Sequence, residues 1–85
     1  MIKLPKLLDR IIQGHYHNIS FDDFIRLIEL TGFVYLHTTG SHMLFDHPKY
    51  RILLNIQPDR NKNAKPAQVR ELKEFIITYN IKVGE

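Results

Sequence analysis

Apolar residues in the first third of the chain recur at helical spacing. Leu4, Leu7, Leu8, Ile11 and Ile12 fall at i, i+3, i+4, i+7 and i+8, the stripe of an amphipathic helix. Pro5 suits the first helical position and Gly14 the residue just past the end, so a helix is expected over about 5–13. His15-Tyr16-His17-Asn18 then reads as a connector. Ser20 can cap a second helix, with Asp22 and Asp23 complementing the positive end of its dipole. Phe21, Phe24, Ile25 and Ile28 supply its apolar face, and Gly32 closes it.

From Phe33 the period shortens. Phe33-Val34-Tyr35-Leu36-His37-Thr38 is rich in β-branched and aromatic residues, and Thr39-Gly40 turns the chain. A second strand is expected over roughly 41–46. His47-Pro48-Lys49 forms the next turn, because proline cannot continue a hydrogen-bonded ladder. A third strand covers 51–56, with Ile52, Leu54 and Ile56 on one face and Leu53 and Asn55 on the other. Short connections favour an antiparallel meander. Residues 57–65 are polar, basic and turn-forming, and Pro66 opens a last helix whose buried stripe is Val69, Leu72, Ile76 and Tyr79. Arg70, Lys73 and Glu74 fall on its opposite flank. The pattern predicts one domain of the α+β class, a three-stranded antiparallel sheet with helices packed on it, in the order α-β-β-β-α behind an N-terminal helix.

Composition narrows the function classes. At 85 residues with no cysteine, the chain has room for one modest core and no disulfide or thiolate-held zinc. No apolar run approaches the ~20 residues of a membrane span, and Met1-Ile2-Lys3-Leu4-Pro5 leads into the amphipathic pattern without a secretory core. A soluble, cytoplasmic protein is expected. The net charge of +3 is unevenly placed: residues 1–48 carry four Lys/Arg against five Asp/Glu, and residues 49–85 carry eight against four. A basic C-terminal half suits a surface that meets an anion such as nucleic acid; an ordinary solvated face is the plainer reading of the same charges.

Two stretches could carry chemistry. In Gly40-Ser41-His42-Met43-Leu44-Phe45, strand alternation sends Ser41, Met43 and Phe45 to one face and His42, Leu44 and Asp46 to the other. Met43 and Phe45 make a natural core pair, which leaves His42 away from the core. Histidine is the side chain whose titration suits general acid–base work near neutrality, although an isolated histidine is equally a surface or packing residue. In Lys62-Asn63-Ala64-Lys65-Pro66-Ala67-Gln68-Val69-Arg70, unpaired N–H groups at a helix start, with Lys62 and Lys65 before it, suit a phosphate. A solvated loop before a proline-started helix is the alternative, and Gln68 is either a surface amide or a hydrogen-bonder to RNA. His15 and His17 lie two apart, with no Asp, Glu or Cys close by to complete a metal site. His37 and His47 flank the His42 strand, able to assist it or simply exposed at strand ends. No Gly-rich phosphate loop, nucleophile elbow or HExxH pattern is present.

Taken together, 18–79 resembles the HicA toxins of bacterial and archaeal type II toxin–antitoxin systems. The match is carried by Asn18-Ile19-Ser20-Phe21-Asp22-Asp23-Phe24 leading to Thr31-Gly32-Phe33, by Gly40-Ser41-His42-x-x-Phe45, by Leu54-Asn55-Ile56-Gln57-Pro58, and by Ala64-Lys65-Pro66-x-Gln68-Val69. The helix at about 5–13 resembles an extension carried by one branch of the family. The resemblance implies a fold similar to the double-stranded-RNA-binding domain. It implies an endoribonuclease that cuts messenger RNA without a metal ion or other cofactor, and a HicB-like antitoxin as protein partner. By the same resemblance, His42 matches the catalytic histidine and acts as general base on the ribose 2′-OH or on water. Gly40, Ser41, Lys62, Lys65, Gln68 and Arg70 become the expected RNA contacts. A non-catalytic RNA-binding module of the same fold is the alternative. The chain departs from the family at Thr38-Thr39, where members often carry Lys or Arg before the Gly-Ser-His; Lys65 or Arg70 is then the basic group left to serve the phosphate.

Overall fold

The computed structural model describes residues 3–82; Met1, Ile2 and 83–85, which the single-domain expectation includes, lie outside the described residues. In chain order the elements are α1 (Leu4–Ile12), α2 (Phe21–Leu30), β1 (Val34–Thr39), β2 (His42–His47), β3 (Ile52–Ile56) and α3 (Pro66–Thr78). The strands form one antiparallel sheet in the order β1-β2-β3, so the α+β class and the meander are as expected.

Local chemistry sets the helix boundaries. Proline occupies the first turn of both α1 and α3, where its missing N–H breaks no intrahelical bond. Ser20 Oγ accepts from the Asp23 N–H at 3.1 Å, and Asp22 and Asp23 lie in the first turn of α2. Such a cap is typically worth about 1 kcal/mol. Gly32, at φ +102°, stands just past the end of α2.

One core joins all layers. Leu7 and Ile11 of α1, Phe24, Leu27 and Ile28 of α2, Phe45, Leu54 and Ile56 of the sheet, and Val69, Leu72 and Ile76 of α3 are buried together. α1 lies against both α2 and α3. On α2 the buried line runs through Leu27, while Phe21 and Ile25, expected on that face, are half-buried.

The strand register gives the sheet two unlike faces. Phe45 opposes Leu54, Met43 opposes Ile56 and His47 opposes Ile52, and this inner face contributes Phe45, Leu54 and Ile56 to the core. The outer face carries His42, Leu44, Asp46, Leu53 and Asn55, with Leu53 58% exposed. β1 is an exposed edge strand whose register shifts between Tyr35 and His37. That bulge returns His37 to the outer face opposite Leu44, and Thr39 opposite His42.

Two local expectations are corrected. His47 ends β2 rather than opening a turn, and it is 6% exposed. Its ring packs edge-on against Phe33 and tilts against Tyr50, with centroids 5.0 and 4.9 Å away. Tyr79, expected in the buried stripe of α3, is the C-cap of that helix and 41% exposed; its ring lies 5.2 Å from that of Tyr50. Residues 57–65 form the expected turn-forming loop, held by its own hydrogen bonds. Asp59 Oδ1 accepts from the N–H groups of Asn61 and Asn63 at 2.8 and 2.9 Å. Isolated bridges then join Pro58 to Ala64 and Ser20 to Asn63. No helix among the described residues is long and apolar enough to cross a membrane.

Candidate functional site

The β1–β2 turn and the first turn of α3 are joined by polar side chains. Gly40 makes the turn at φ +61° with open space around it, so backbone conformation rather than crowding favours glycine there. Ser41 Oγ donates to Gln57 Oε1 at 3.3 Å. The Gln57 N–H donates to Gln68 Oε1 at 3.1 Å, and the Gln68 N–H donates to the Lys65 carbonyl at 2.9 Å. A continuous path of hydrogen bonds thus runs from the turn before His42 to the start of α3.

His42 is the first residue of β2 and exposed on the outer face. Asn55 stands opposite Leu44 on β3, one pleat diagonally from His42, and Asn55 Oδ1 lies 3.2 Å from His42 Nδ1. An amide oxygen only accepts, so Nδ1 carries the hydrogen and donates, and in the neutral ring the lone pair resides on Nε2. One side chain therefore sets both the tautomer and the ring orientation of an exposed histidine.

The sequence-derived positively charged residues separate into two groups. Lys65 is the N-cap of α3, beside the N–H groups that a helix start leaves without intrahelical partners. It also lies one turn from Gln68, on the same side of the helix. Lys62 adopts φ +62°; its N–H donates to the Asp59 carbonyl at 3.1 Å and its carbonyl accepts from the Phe21 N–H at 3.0 Å. Its backbone is thereby pinned between α2 and the 57–65 turn while its side chain is exposed. Arg70 belongs elsewhere. Two residues past Gln68, it is turned by about 200° around the helix, pairs with Glu74 at 3.6 Å, and lines a cleft with Tyr16, Lys73 and Ile77. Of the two residues considered as substitutes for a basic residue at position 39, Lys65 shares the His42 side of the molecule through Gln68 and Gln57.

Other histidines stand apart. His15 and His17 are exposed in the connector before α2. His37 is exposed on β1, on the same face as His42. Among the described residues, no group of three or more His, Cys, Asp or Glu is placed to hold a metal ion. Residue-by-residue reading singled out neither Asn55 nor Gln57 as a site residue. The signal was the spacing Asn55-x-Gln57-Pro58 on a strand whose alternate positions are apolar, which places two amides where a sheet face needs none.

Comparison with protein-family models, with curated proteins and with solved structures finds no match to this chain.

Proposed function

We propose that the chain is a HicA-type toxin that cleaves messenger RNA without a metal ion, with His42 as general base. The observation that carries this reading is the exposed His42 ring oriented by Asn55, at 3.2 Å, at one end of the hydrogen-bonded path to α3. From α2 onward the element order, α-β-β-β-α, is also that of the double-stranded-RNA-binding domain, in which the corresponding turn and helix start meet RNA. RNA lies across Gly40, Ser41 and the start of α3, with Lys62 and Lys65 on its phosphates and Gln68 and Arg70 as further contacts.

In the reaction, His42 Nε2 takes the proton of a ribose 2′-OH. The 2′ oxygen attacks the adjacent phosphorus, the bond to the 5′ oxygen breaks, and that oxygen takes a proton from solvent water at the exposed site. A nucleophile already attached next to the phosphate suits a site with a single base, because its effective concentration is high without further positioning. Lys65 offsets charge developing on the phosphate. A HicB-like antitoxin covers the outer face, where Val34 and Leu53, 51% and 58% exposed, flank Asp46 at the far end of β2 from His42 and offer apolar area that a protein partner can bury.

The test is cleavage of a mixed RNA by purified protein in EDTA, wild type beside His42→Ala. Cutting by the wild type alone supports the proposal, as does resistance of a strand carrying 2′-deoxyribose at the cut position. Equal, salt-sensitive binding by both proteins with no cutting by either assigns the chain instead to non-catalytic RNA-binding modules.

A further inference from the structure

The far end of β2 holds a second concave region. His47 lies five residues beyond His42, roughly 16 Å along the strand at the rise of an extended chain, and points to the other face. A cleft of about 500 Å³ opens there, between the C-terminal ends of α2 and α3 and the β2–β3 turn. That volume falls within the range of small-molecule sites.

We propose that this cleft binds a nucleotide, its base against Tyr79, an amino group of the base serving His47 Nδ1, and its phosphate met by Lys49 and Lys82. All four side chains line the cleft. His47 is the group that selects the ligand. Its Nε2–H donates to the Thr31 carbonyl at 3.0 Å, so the neutral ring leaves Nδ1 as an acceptor. Nδ1 is buried and has no hydrogen-bond partner, whereas buried polar atoms are normally paired. Gly32 permits this arrangement: a Cβ there would stand 2.8 Å from His47 Nε2. The last carbonyls of two helices also favour a donor over an acceptor at this end, and it falls to Lys49 and Lys82 to offset their repulsion of the phosphate.

The rings supply the second requirement. His47, Tyr50 and Tyr79 follow one another at centroid distances of 4.9 and 5.2 Å, and a base that takes the place of Tyr50 against Tyr79 keeps a stacking partner while its amino group turns to the His47 side. Of the two rings packed on His47, Phe33 is fixed in the core and Tyr50 is half-buried on the turn, so Tyr50 is the one that yields as a donor approaches Nδ1. The phosphate accounts for the cations. Lys49 lies 5.3 Å from the Tyr50 ring centroid, and Lys82 is exposed after α3. A purely apolar occupant would leave Nδ1 without a counterpart.

The inference goes beyond the His42 reading, and the two fail separately. The full chain, uniformly ¹⁵N-labelled, is titrated with AMP to millimolar concentration and followed by NMR. Expected are shifts at the Gly32, Tyr50, Tyr79 and Lys82 amides and movement of the His47 Nδ1 resonance. Purine riboside monophosphate, which lacks the amino group, binds more weakly. Tyr79→Ala weakens AMP about 5- to 100-fold, the range of one lost stacking contact. His47→Phe, which keeps the ring and removes Nδ1, weakens it too, and His42→Ala leaves it unchanged. A short single-stranded oligoribonucleotide that displaces AMP identifies the ligand as an unstacked nucleotide within a strand; AMP binding that the oligonucleotide leaves untouched identifies a free nucleotide. Absence of shifts at these residues, AMP shifts confined to Lys65 and Gln68, or full binding by Tyr79→Ala would overturn the proposal.

Discussion

His42 and His47 occupy the two ends of one six-residue strand, and an odd separation puts them on opposite faces of the sheet. His42 is exposed, held by one neighbouring amide, and surrounded by residues that contact solvent. His47 is buried between Phe33 and Tyr50 and bonded to the end of α2. In the proposed function the same side chain is thus a reagent at one end, whereas at the other it is packed into the structure. Strand parity and the partner of a single ring nitrogen decide which, and neither is a property of histidine itself.

Removing each ring in turn separates the two roles. His42→Ala is expected to lower RNA cleavage by ~10²–10⁴-fold, the usual worth of a general base, while the thermal unfolding midpoint stays within measurement error. An appreciable fall in that midpoint would mean that His42 packs rather than reacts. His47→Ala is expected to do the reverse. Loss of a buried ring together with the partner of the Thr31 carbonyl costs about 2–4 kcal/mol, read by denaturant unfolding, with cleavage per folded molecule retained. His47→Phe recovers most of that stability, because it restores the packing and removes an unpaired buried nitrogen.

This contrast marks what was legible in the sequence. Hydrophobic period located every helix and strand, because each element buries one face against the core and so must repeat at 3.6 or 2 residues. It placed His42 outside the core by its parity with Met43 and Phe45. It failed at His47, where proline at the next position suggested a turn one residue early, and a histidine against two aromatic rings leaves no periodic mark. It failed at Tyr79 because a helical stripe continues on paper past the point where the backbone stops: Tyr79 already caps α3, and Asn80 follows at φ +50°. At the site, the turn and the lysines were readable as local motifs. Asn55 and Gln57 were not, since their role depends on cross-strand register and on a contact with α3, both of which are tertiary facts.

Asn55 refines the comparison, because it gives His42 what Thr31 gives His47, a fixed tautomer. Asn55→Leu keeps the side-chain volume near that of the amide and removes the acceptor for Nδ1–H. Cleavage is expected to fall about 10-fold, corresponding to about 1.4 kcal/mol in the barrier, with RNA affinity unchanged. Asn55→Asp restores an acceptor and recovers the rate. A purely structural role for Asn55 predicts instead that both variants lose stability and neither changes the rate per folded molecule.

The smallest expected effect separates Lys65 from Arg70. Both are cations of α3 or its cap, but Lys65 borders the Gln68–Gln57–Ser41 path and Arg70 faces Tyr16 and Glu74. Each phosphate contact contributes about 0.7 to the slope of log affinity against log salt for a single strand and about 0.9 for a duplex. Lys65→Ala is therefore expected to reduce the measured slope by about that amount, to weaken RNA binding several-fold at low salt, and to slow cleavage beyond the loss in affinity. Arg70→Ala, if it contacts a phosphate away from the cut, changes the slope similarly but leaves the rate at saturating RNA unaltered. A common effect of both variants on that saturated rate would place Arg70 beside His42 and remove the distinction between the two flanks of α3. Slope and saturated rate together therefore locate each cation relative to the reacting phosphate, which affinity alone does not.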